Sequence, residues 1–199
     1  MTWAIRALAI ADLPRFREHF IRHSAESGRG EPHFMPFSAI PLSEQSISTD
    51  GPRGLNTQAM NAPLDTPGWQ RWFAAFNDDN GAIVGHVDLN GDALRTGLHR
   101  CELGIGIERS FRSIGLGVRL MQTAIAFAQS AGSIAWVDLK VFGHNAPARA
   151  LYKRLGFVET GIQQDRFRID GAVIDDVSMS LRLTDMPARQ VQQAAQQQQ

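Results

Sequence analysis

The chain has 199 residues, of which 43% are hydrophobic, and this is enough for one α/β domain with a buried core but too little for two ordinary domains. Lys and Arg together number 20, and so do Asp and Glu, which makes the formal net charge zero. The chain therefore lacks the excess of basic residues that would predict binding to nucleic acid or to an anionic membrane. A single Cys excludes an internal disulfide and a cysteine-based zinc site.

The first predicted elements are a strand over residues 3–9 and a helix that begins at Asp12 and ends near His23. No stretch reaches the ~20 apolar residues of a membrane span, and the N-terminus lacks the pattern of a secretory signal, so we expect a cytoplasmic protein. His19 and His23 have a spacing that metal sites use, but Glu18 precedes the first His, whereas the His-Glu-x-x-His motif places Glu after it. We therefore predict solvated or core-edge histidines and no metal site.

Glycine and proline punctuate a polar stretch over residues 24–68, which predicts a long irregular insertion with only short helices, near 42–48 and 55–62. A connection of this length within a compact domain is usually functional or mobile. Its acidic and aromatic side chains suit an amine that has an apolar part, and Glu31, Phe34 and Phe37 are the candidate substrate-binding residues. A disordered loop with incidental aromatic residues fits the same pattern equally well.

Three strands follow, over residues 69–77, 82–89 and 99–107, and Asp79-Asn80-Gly81 predicts a tight hairpin between the first two. In the third strand, side chains alternate between two faces. Leu103, Ile105 and Ile107 share one face, whereas Glu102, Gly104 and Gly106 share the other.

The strand that ends at Ile107 leads into the turn Arg112-Ser113-Ile114-Gly115-Leu116-Gly117 and then into an amphipathic helix that ends near Ala131. The N-terminus of a helix presents backbone N–H groups and a positive dipole end, so this turn predicts an anion site. Glycines at 115 and 117 keep Cβ atoms away from a phosphate, and Arg112 can add a charged contact. A P-loop would need Gly-Lys-Ser/Thr, and a dinucleotide fingerprint would need a third glycine at Leu120; both motifs are therefore excluded.

The remaining pattern predicts a strand over residues 134–142, a helix that Asn145 caps, and a hairpin of strands 157–169 and 172–183. The order strand, helix, strand implies a right-handed crossover with parallel pairing. Residues 185–199 are rich in Gln and predict a disordered tail, so residues 1–184 are taken as a single domain.

Two segments together resemble the GNAT N-acetyltransferase superfamily. The Arg-x-x-Gly-x-Gly turn after a strand is similar to the family's acyl-CoA pyrophosphate motif. Residues 137–161, with a strand, an Asn-headed helix, a Tyr and Gly-Phe, are similar to its second motif. The resemblance covers roughly residues 80–182 and is strongest to the branch of amino-acid and protein N-terminal acetyltransferases. It implies an α/β fold of the α+β type, with a mixed, mostly antiparallel sheet that is flanked by helices and splayed near Ile107 and Phe142.

The resemblance implies transfer of an acetyl group from acetyl-CoA to a primary amine, by direct attack in a ternary complex. In that scheme Tyr152 protonates the departing thiolate and Glu102 is the candidate general base. Some family members carry this glutamate one place earlier, where the chain has Cys101, so a structural carboxylate is an equal alternative for Glu102. The residues expected at the cofactor are Ile105, Gly106 and Ile107 of the strand, Arg112, Ser113, Ile114, Gly115, Leu116 and Gly117 of the turn, and Asn145.

Two other functions compete with this prediction. One is a non-catalytic domain that binds or senses acyl-CoA, although the presence of both Tyr152 and a strand carboxylate favours an enzyme. The other is an acyl-enzyme on Cys101, which is disfavoured because the nearest His in sequence, His99, lies on the same strand. A small-molecule or peptide amine is the expected partner, a homodimer is left open, and no nucleic-acid or membrane partner is expected.

Overall fold

A computed structural model describes residues 2–36 and 55–183 of the chain. Strands outnumber helices in this part, and the elements follow the predicted order closely. In chain order they are β1 (Trp3–Ala7), α1 (Leu13–Ala25), α2 (Thr57–Asn61), β2 (Gln70–Asn77), β3 (Ile83–Gly91), β4 (Arg100–Ile107), α3 (Leu116–Ser130), β5 (Trp136–Phe142), α4 (Ala146–Arg154), β6 (Val158–Ile169) and β7 (Ala172–Arg182).

The strands form one sheet in the order β1-β2-β3-β4-β5-β7-β6. Every neighbouring pair is antiparallel except β4 and β5, which are parallel as the crossover predicts. These two strands pair only over residues 100–102 of β4 and 136–138 of β5 and then separate. The predicted fold class, a mostly antiparallel sheet that is splayed between these two strands, is confirmed.

Hydrophobic side chains cover both faces of the sheet. Helices α3 and α4 bury one face in the larger cluster, which includes Leu103, Leu120 and Val137. Helix α1 covers the other face, where Phe16 packs against Trp72. The two faces of the β4–β5 gap therefore meet different helices, because side chains on each strand alternate. Among the described residues, no helix has the length and apolar character needed to cross a bilayer.

The predicted insertion is shorter at its start than expected, because α1 continues to Ala25. The predicted helix at 55–62 is present as α2, and Asn56 caps it by accepting hydrogen bonds from the N–H groups of Gln58 and Ala59. The predicted helix at 42–48, the candidate residue Phe37 and the Gln-rich tail lie outside the described residues.

Candidate active site

The β4–β5 gap exposes one backbone edge of β4. On the opposite edge, the N–H of Glu108 donates to the carbonyl of Val84, near the start of β3, at 3.1 Å. Backbone groups alternate along a strand, so the N–H and C=O groups of residues 103 and 105 and the N–H of residue 107 point into the gap. The carbonyl of residue 107 accepts a hydrogen bond from Arg112 at 2.8 Å. Among the described strands none pairs with this edge beyond Glu102. The edge therefore offers a row of donors and acceptors that suits a ligand carrying amide groups.

The glycine turn places the start of α3 at the end of that edge. Gly115 is the N-cap with φ +91°, and Ser113 also has a positive φ of 62°. The first hydrogen bond of the helix runs from the N–H of Arg119 to the carbonyl of Gly115 at 3.3 Å. The N–H groups ahead of Arg119 thus have no acceptor within the helix. These free donors and the helix dipole are what the predicted anion site requires, and anion binding here stays a prediction.

Glycine is needed at positions 115 and 117 of this turn for two different physical reasons. A Cβ atom at Gly115 would meet no atom within 4 Å, so its positive φ, which L residues rarely adopt, explains the glycine. A Cβ atom at Gly117 would lie 3.3 Å from side-chain atoms of Ile107 and Leu151. Gly117 was expected to keep a Cβ atom away from a phosphate, and this reason is corrected. The glycine instead permits close packing of α3 on β4 and α4, because a Cβ atom there would point at these elements.

The side chain of Arg112 is directed toward the insertion. Its guanidinium donates to Glu31 Oε2 at 2.6 Å, to Glu26 Oε2 at 2.8 Å and to the carbonyl of Ile107 at 2.8 Å. All three bonds are made to oxygen atoms of the protein, away from the N–H groups of α3. A phosphate contact by Arg112 stays a prediction, and it would require this group to leave two carboxylates.

Residues 26–36, which we name the crossing segment, span the β4–β5 gap on the α1 side. At one end, Arg109 donates to Glu31 Oε1 at 3.0 Å and to the carbonyl of Arg29 at 2.6 Å, just beyond β4. At the other end, His144 Nε2 and the carbonyl of His33 are 2.7 Å apart, just beyond β5. The crossing segment thus forms a wall beside the gap.

Two predicted substrate-binding residues lie in this wall. Phe34 stacks on the ring of His23, with centroids 4.8 Å apart, and the guanidinium of Arg112 lies 4.9 Å from its centroid. The carboxylate of Glu31 pairs with the guanidinium groups of Arg109 and Arg112. Its charge is therefore already balanced by two cations of the protein, which weakens its attraction for an ammonium ion. The aromatic part of the expected acceptor surface is therefore beside the gap, but its acids belong to an ion-pair network.

Tyr152 lies in α4 and Asn145 is the N-cap of this helix, which packs on the face opposite the crossing segment. Burial raises the pKa of Tyr152 to about 12, so its hydroxyl is protonated at neutral pH and acts as a hydrogen-bond donor. Its ring lies 6.0 Å from that of Phe157, centroid to centroid. Asn145 Oδ1 accepts the N–H of Ala148 at 3.2 Å, which confirms its capping role. A contact from Asn145 to the cofactor stays a prediction.

The α1 side of β3 and β4 is unusually polar. We name as the polar face six residues, three on each strand. They are His86, Asp88 and Asn90 of β3, and Gly106, Gly104 and Glu102 of β4, which pair in that order. The predicted base, Glu102, is exposed at one end of this face and has no ion-pair partner among the described residues.

The glycines of the polar face leave room for side chains from neighbouring elements. A Cβ atom at Gly104 would lie 2.6 Å from Asp88 Oδ1, and one at Gly106 would lie 2.4 Å from His86 Cε1 and 2.8 Å from His23 Nε2. Sequence reasoning recognised the glycines but missed Asp88 and His86. The signal was available, because both are polar residues at alternate positions of a predicted buried strand.

Three histidines are buried on the α1 side of the sheet: His86 of the polar face, and His19 and His23 of α1. This corrects the expectation that His19 and His23 are solvated or at the core edge. His19 Nδ1 lies 2.8 Å from Glu108 Oε1, and His19 Nε2 lies 2.9 Å from His86 Nδ1. Glu108, His19 and His86 therefore form one buried chain of contacts. Within the part of the chain that the structure describes, no group of three or more His, Cys, Asp or Glu residues is arranged to hold a metal ion.

Acidification should destabilise the fold through these histidines. Burial, first among the causes, lowers the pKa of His23 to about 3 and that of His86 well below 6.5. Below pH 6.5 the unfolded chain binds two protons that the folded protein does not, so stability falls as the pH falls. Burial raises the pKa of Asp88 to about 7. Below that pH the folded protein therefore binds a proton at Asp88 that the unfolded chain does not, which offsets one of the two protons. The net expectation is a loss of ~1.4 kcal/mol per pH unit between about pH 6 and pH 4.5.

Urea unfolding followed by tryptophan fluorescence over this pH range measures the slope. A free energy of unfolding that stays constant as the pH falls would contradict the assignment of His23 and His86 as buried neutral groups.

Cys101 is unsuited to act as a nucleophile. It belongs to the larger hydrophobic cluster, on the face opposite Glu102. Burial raises the pKa of its thiol to about 12, and the reactive thiolate is therefore scarce at neutral pH. This chemistry favours direct transfer over an acyl-enzyme.

Comparison with known proteins identifies the family. A model of the acetyltransferase (GNAT) family matches residues 45–157. The chain belongs to the GNAT acetyltransferase family. Over 116 residues, covering 58% of this chain and 70% of the relative, it is 26% identical to the L-amino acid N-acetyltransferase AaaT of Escherichia coli. The family confirms the expected enzyme class, an N-acetyltransferase that takes its acetyl group from acetyl-CoA.

Solved structures of GNAT proteins superpose on the chain. A GNAT acetyltransferase from Streptococcus pneumoniae aligns with a TM-score of 0.73 and 26% identity, over 91% of this chain and 99% of that chain. The structure of yncA from Salmonella typhimurium, solved with its cofactor acetyl-CoA, aligns with a TM-score of 0.70 over 94% of this chain and 98% of that chain. At 16% identity this second likeness concerns the fold alone.

Proposed function

We propose that this GNAT enzyme acetylates the primary amine of an amino acid, a small amine or a protein N-terminus, by direct attack within a ternary complex. The observation that carries the proposal is the unpaired edge of β4 between residues 103 and 107. This edge lies beside the polar face and ends near the anion site at the start of α3. The E. coli relative named for L-amino acids supports an α-amine as the acceptor.

The residues present fit acetyl-CoA as the acyl donor. The backbone of Ile105 would bind an amide group of the cofactor along the β4 edge, and residues 113–117 would bind its pyrophosphate. When bound, acetyl-CoA supplies a thioester activated for acyl transfer. The N–H of Ile107 points into the gap and would stabilise negative charge that develops on the carbonyl oxygen.

The two faces of the gap have separate tasks in this mechanism. The acceptor enters from the α1 side, between the crossing segment and the polar face. Tyr152 approaches from the α4 side, where its protonated hydroxyl donates to the departing sulfur. Such an arrangement suits direct transfer, because the amine and the leaving group are served from opposite sides of one carbonyl carbon.

The acceptor must lose a proton before it attacks. A primary amine of the lysine type has a pKa of ~10.4, so it is an ammonium ion at neutral pH. The polar face attracts this cation and offers two carboxylates that can take its proton, the predicted base Glu102 and the buried Asp88. Neither is paired with a cation among the described residues.

Activity measurements test the proposed function. The purified chain, incubated with acetyl-CoA and a panel of amino acids, polyamines and short peptides, should release the coenzyme A thiol and yield N-acetylated products by mass spectrometry. Initial rates with both substrates varied should give intersecting lines, the pattern of a ternary complex. Binding of acetyl-CoA without turnover would support the sensor alternative, and a stable acetyl group on Cys101 would support the acyl-enzyme.

Truncation of Phe34 should weaken acceptor binding. In Phe34→Ala the KM for the amine should rise ~10-fold, because the ring that covers the apolar part of the acceptor is lost, while the KM for acetyl-CoA stays the same. Steady-state kinetics with each substrate varied in turn gives both constants. The neighbouring Met35→Ala variant controls for loosening of the crossing segment. Equal increases in both constants for Phe34→Ala would indicate general damage and contradict the assignment.

A further inference from the structure

Asp88 is a buried carboxylate in the middle of the polar face. Its side chain lies over the backbone of β4, in the space that a side chain at Gly104 would fill, with Oδ1 2.6 Å from that Cβ position. The residue is only 8% exposed. Because β4 is also the strand whose other edge lines the β4–β5 gap, this carboxylate lies directly beside the strand that is proposed to bind the acyl donor.

The surroundings of Asp88 hold it in place but do not neutralise it. Asn90 Nδ2 donates to Oδ2 at 2.6 Å, and Oδ1 accepts no hydrogen bond from the described residues. Trp72 of β2 is paired with Asp88 in the sheet. From β4, the negative charge of Glu102 acts on Asp88. His86, two residues before it on β3, is kept neutral by burial. A buried carboxylate without a cation is costly to the fold, so its retention requires a reason outside stability.

We propose that Asp88, rather than the exposed Glu102, accepts the proton of the acceptor ammonium group. This inference rests on the proposed function and names the base of the same site. Asp88 is fixed by Asn90 and by packing, whereas Glu102 is exposed at the end of the face and no described residue fixes its carboxylate. Glu102 then attracts and holds the cation, and Asp88 takes its proton.

Proton transfer to Asp88 frees the electron pair that attacks the thioester. One N–H bond of the ammonium breaks, the proton moves to Oδ1 of Asp88, and the bonding pair stays on nitrogen. That pair forms the new C–N bond to the thioester carbonyl, and the attached nitrogen then loses its second proton to solvent. As the C–S bond breaks, the sulfur leaves with its electron pair and takes a proton from Tyr152, which regains one from solvent. The reaction releases one proton overall, which passes from Asp88 to solvent between turnovers.

The electrostatics of the site agree with this assignment. Burial, with a smaller contribution from Glu102, raises the pKa of Asp88 to about 7. A general base is most effective when its pKa lies near the working pH, because it is then both ionised and basic enough to hold a proton. The rate on a basic amine should therefore rise with pH through a limb near pH 7.

Carboxylate-to-amide variants test the assignment. Asp88→Asn should lower kcat/KM for a basic amine ~100-fold at neutral pH, remove the limb near pH 7, and recover as rising pH supplies neutral amine. With hydroxylamine, an acceptor that is already neutral at pH 7, Asp88→Asn should stay within about threefold of the wild type. Glu102→Gln should raise the acceptor KM but keep the limb. Asp138→Asn is the control, because it changes an ion-paired carboxylate on the same side of the sheet, and its pH profile should also keep the limb near pH 7.

Folding controls and outcomes separate this inference from the proposed function. Asp88→Asn should unfold in urea at a concentration no lower than the wild type, because a buried charge is removed; Asp88→Ser serves as a second variant if the first misfolds. An active wild type whose limb persists in both Asp88 variants, or disappears in Glu102→Gln, overturns the assignment of Asp88 alone. A wild type that acetylates no amine overturns the proposed function as well.

Discussion

The Ile114→Glu variant should bind acetyl-CoA at least ~30-fold more weakly than the wild type while remaining folded. Ile114 is 46% exposed and comes just before the N-cap of α3, so its replacement removes little packing. A carboxylate at this place stabilises the helix start by ~0.3–1 kcal/mol through the helix dipole. It also places negative charge where the pyrophosphate would bind, and calorimetric titration with coenzyme A measures the loss.

The neutral variant Ile114→Gln is the matched control, because it has the same size as Ile114→Glu and lacks the charge. Its affinity should remain within about threefold of the wild type, and the difference between the two variants should shrink at high salt. Equal affinities for both variants would remove the pyrophosphate assignment from residues 113–117. Substitution of Gly117 would be a poorer test, because a side chain there would collide with Ile107 and Leu151.

Tyr152→Phe should reduce kcat ~100-fold with little change in the KM for acetyl-CoA. The ring and its packing against Phe157 are retained, and only the hydroxyl is lost. The buried hydroxyl is protonated at neutral pH because its pKa is raised to about 12, so the wild type keeps a donor for the departing thiolate. Steady-state kinetics and thermal unfolding of both proteins measure the two effects separately.

The composition of the chain allows a direct check of this residue. Tyr152 is its single tyrosine, so the ultraviolet absorbance change of phenol ionisation reports this side chain alone. Ionisation near pH 12 is expected, and ionisation near the usual ~10 would show that the hydroxyl is solvated. Wild-type turnover in Tyr152→Phe would return the residue to a purely packing role.

The strands, helices and glycine turn of this protein could be predicted from the sequence because each depends on neighbouring residues. The alternation in β4 and the helical periodicity of α3 are local patterns. Gly115 is also a local signal, since its positive φ belongs to the turn itself. The capping role of Asn145 followed from its position ahead of a helix.

The partners of the polar side chains were decided only by the tertiary structure. Arg112 was expected at a phosphate, but the crossing segment brings Glu26 and Glu31 to it from more than 80 positions away in sequence. His19 contacts Glu108, 89 positions away, for the same reason. Long-range packing of α1 on β3 and β4 sets these contacts, and they cannot be predicted from local sequence patterns.

The environment of Asp88 shows the same division. Its place on a buried strand was visible in the sequence, since a polar residue interrupts an apolar pattern. The raised pKa was not, because it depends on burial beneath other elements and on the charge of Glu102 across the sheet. The sequence therefore determined the elements and the glycine turn, whereas folding decided which carboxylate is buried. Desolvation of that group raises its pKa, which is the physical reason that we propose it as the proton acceptor.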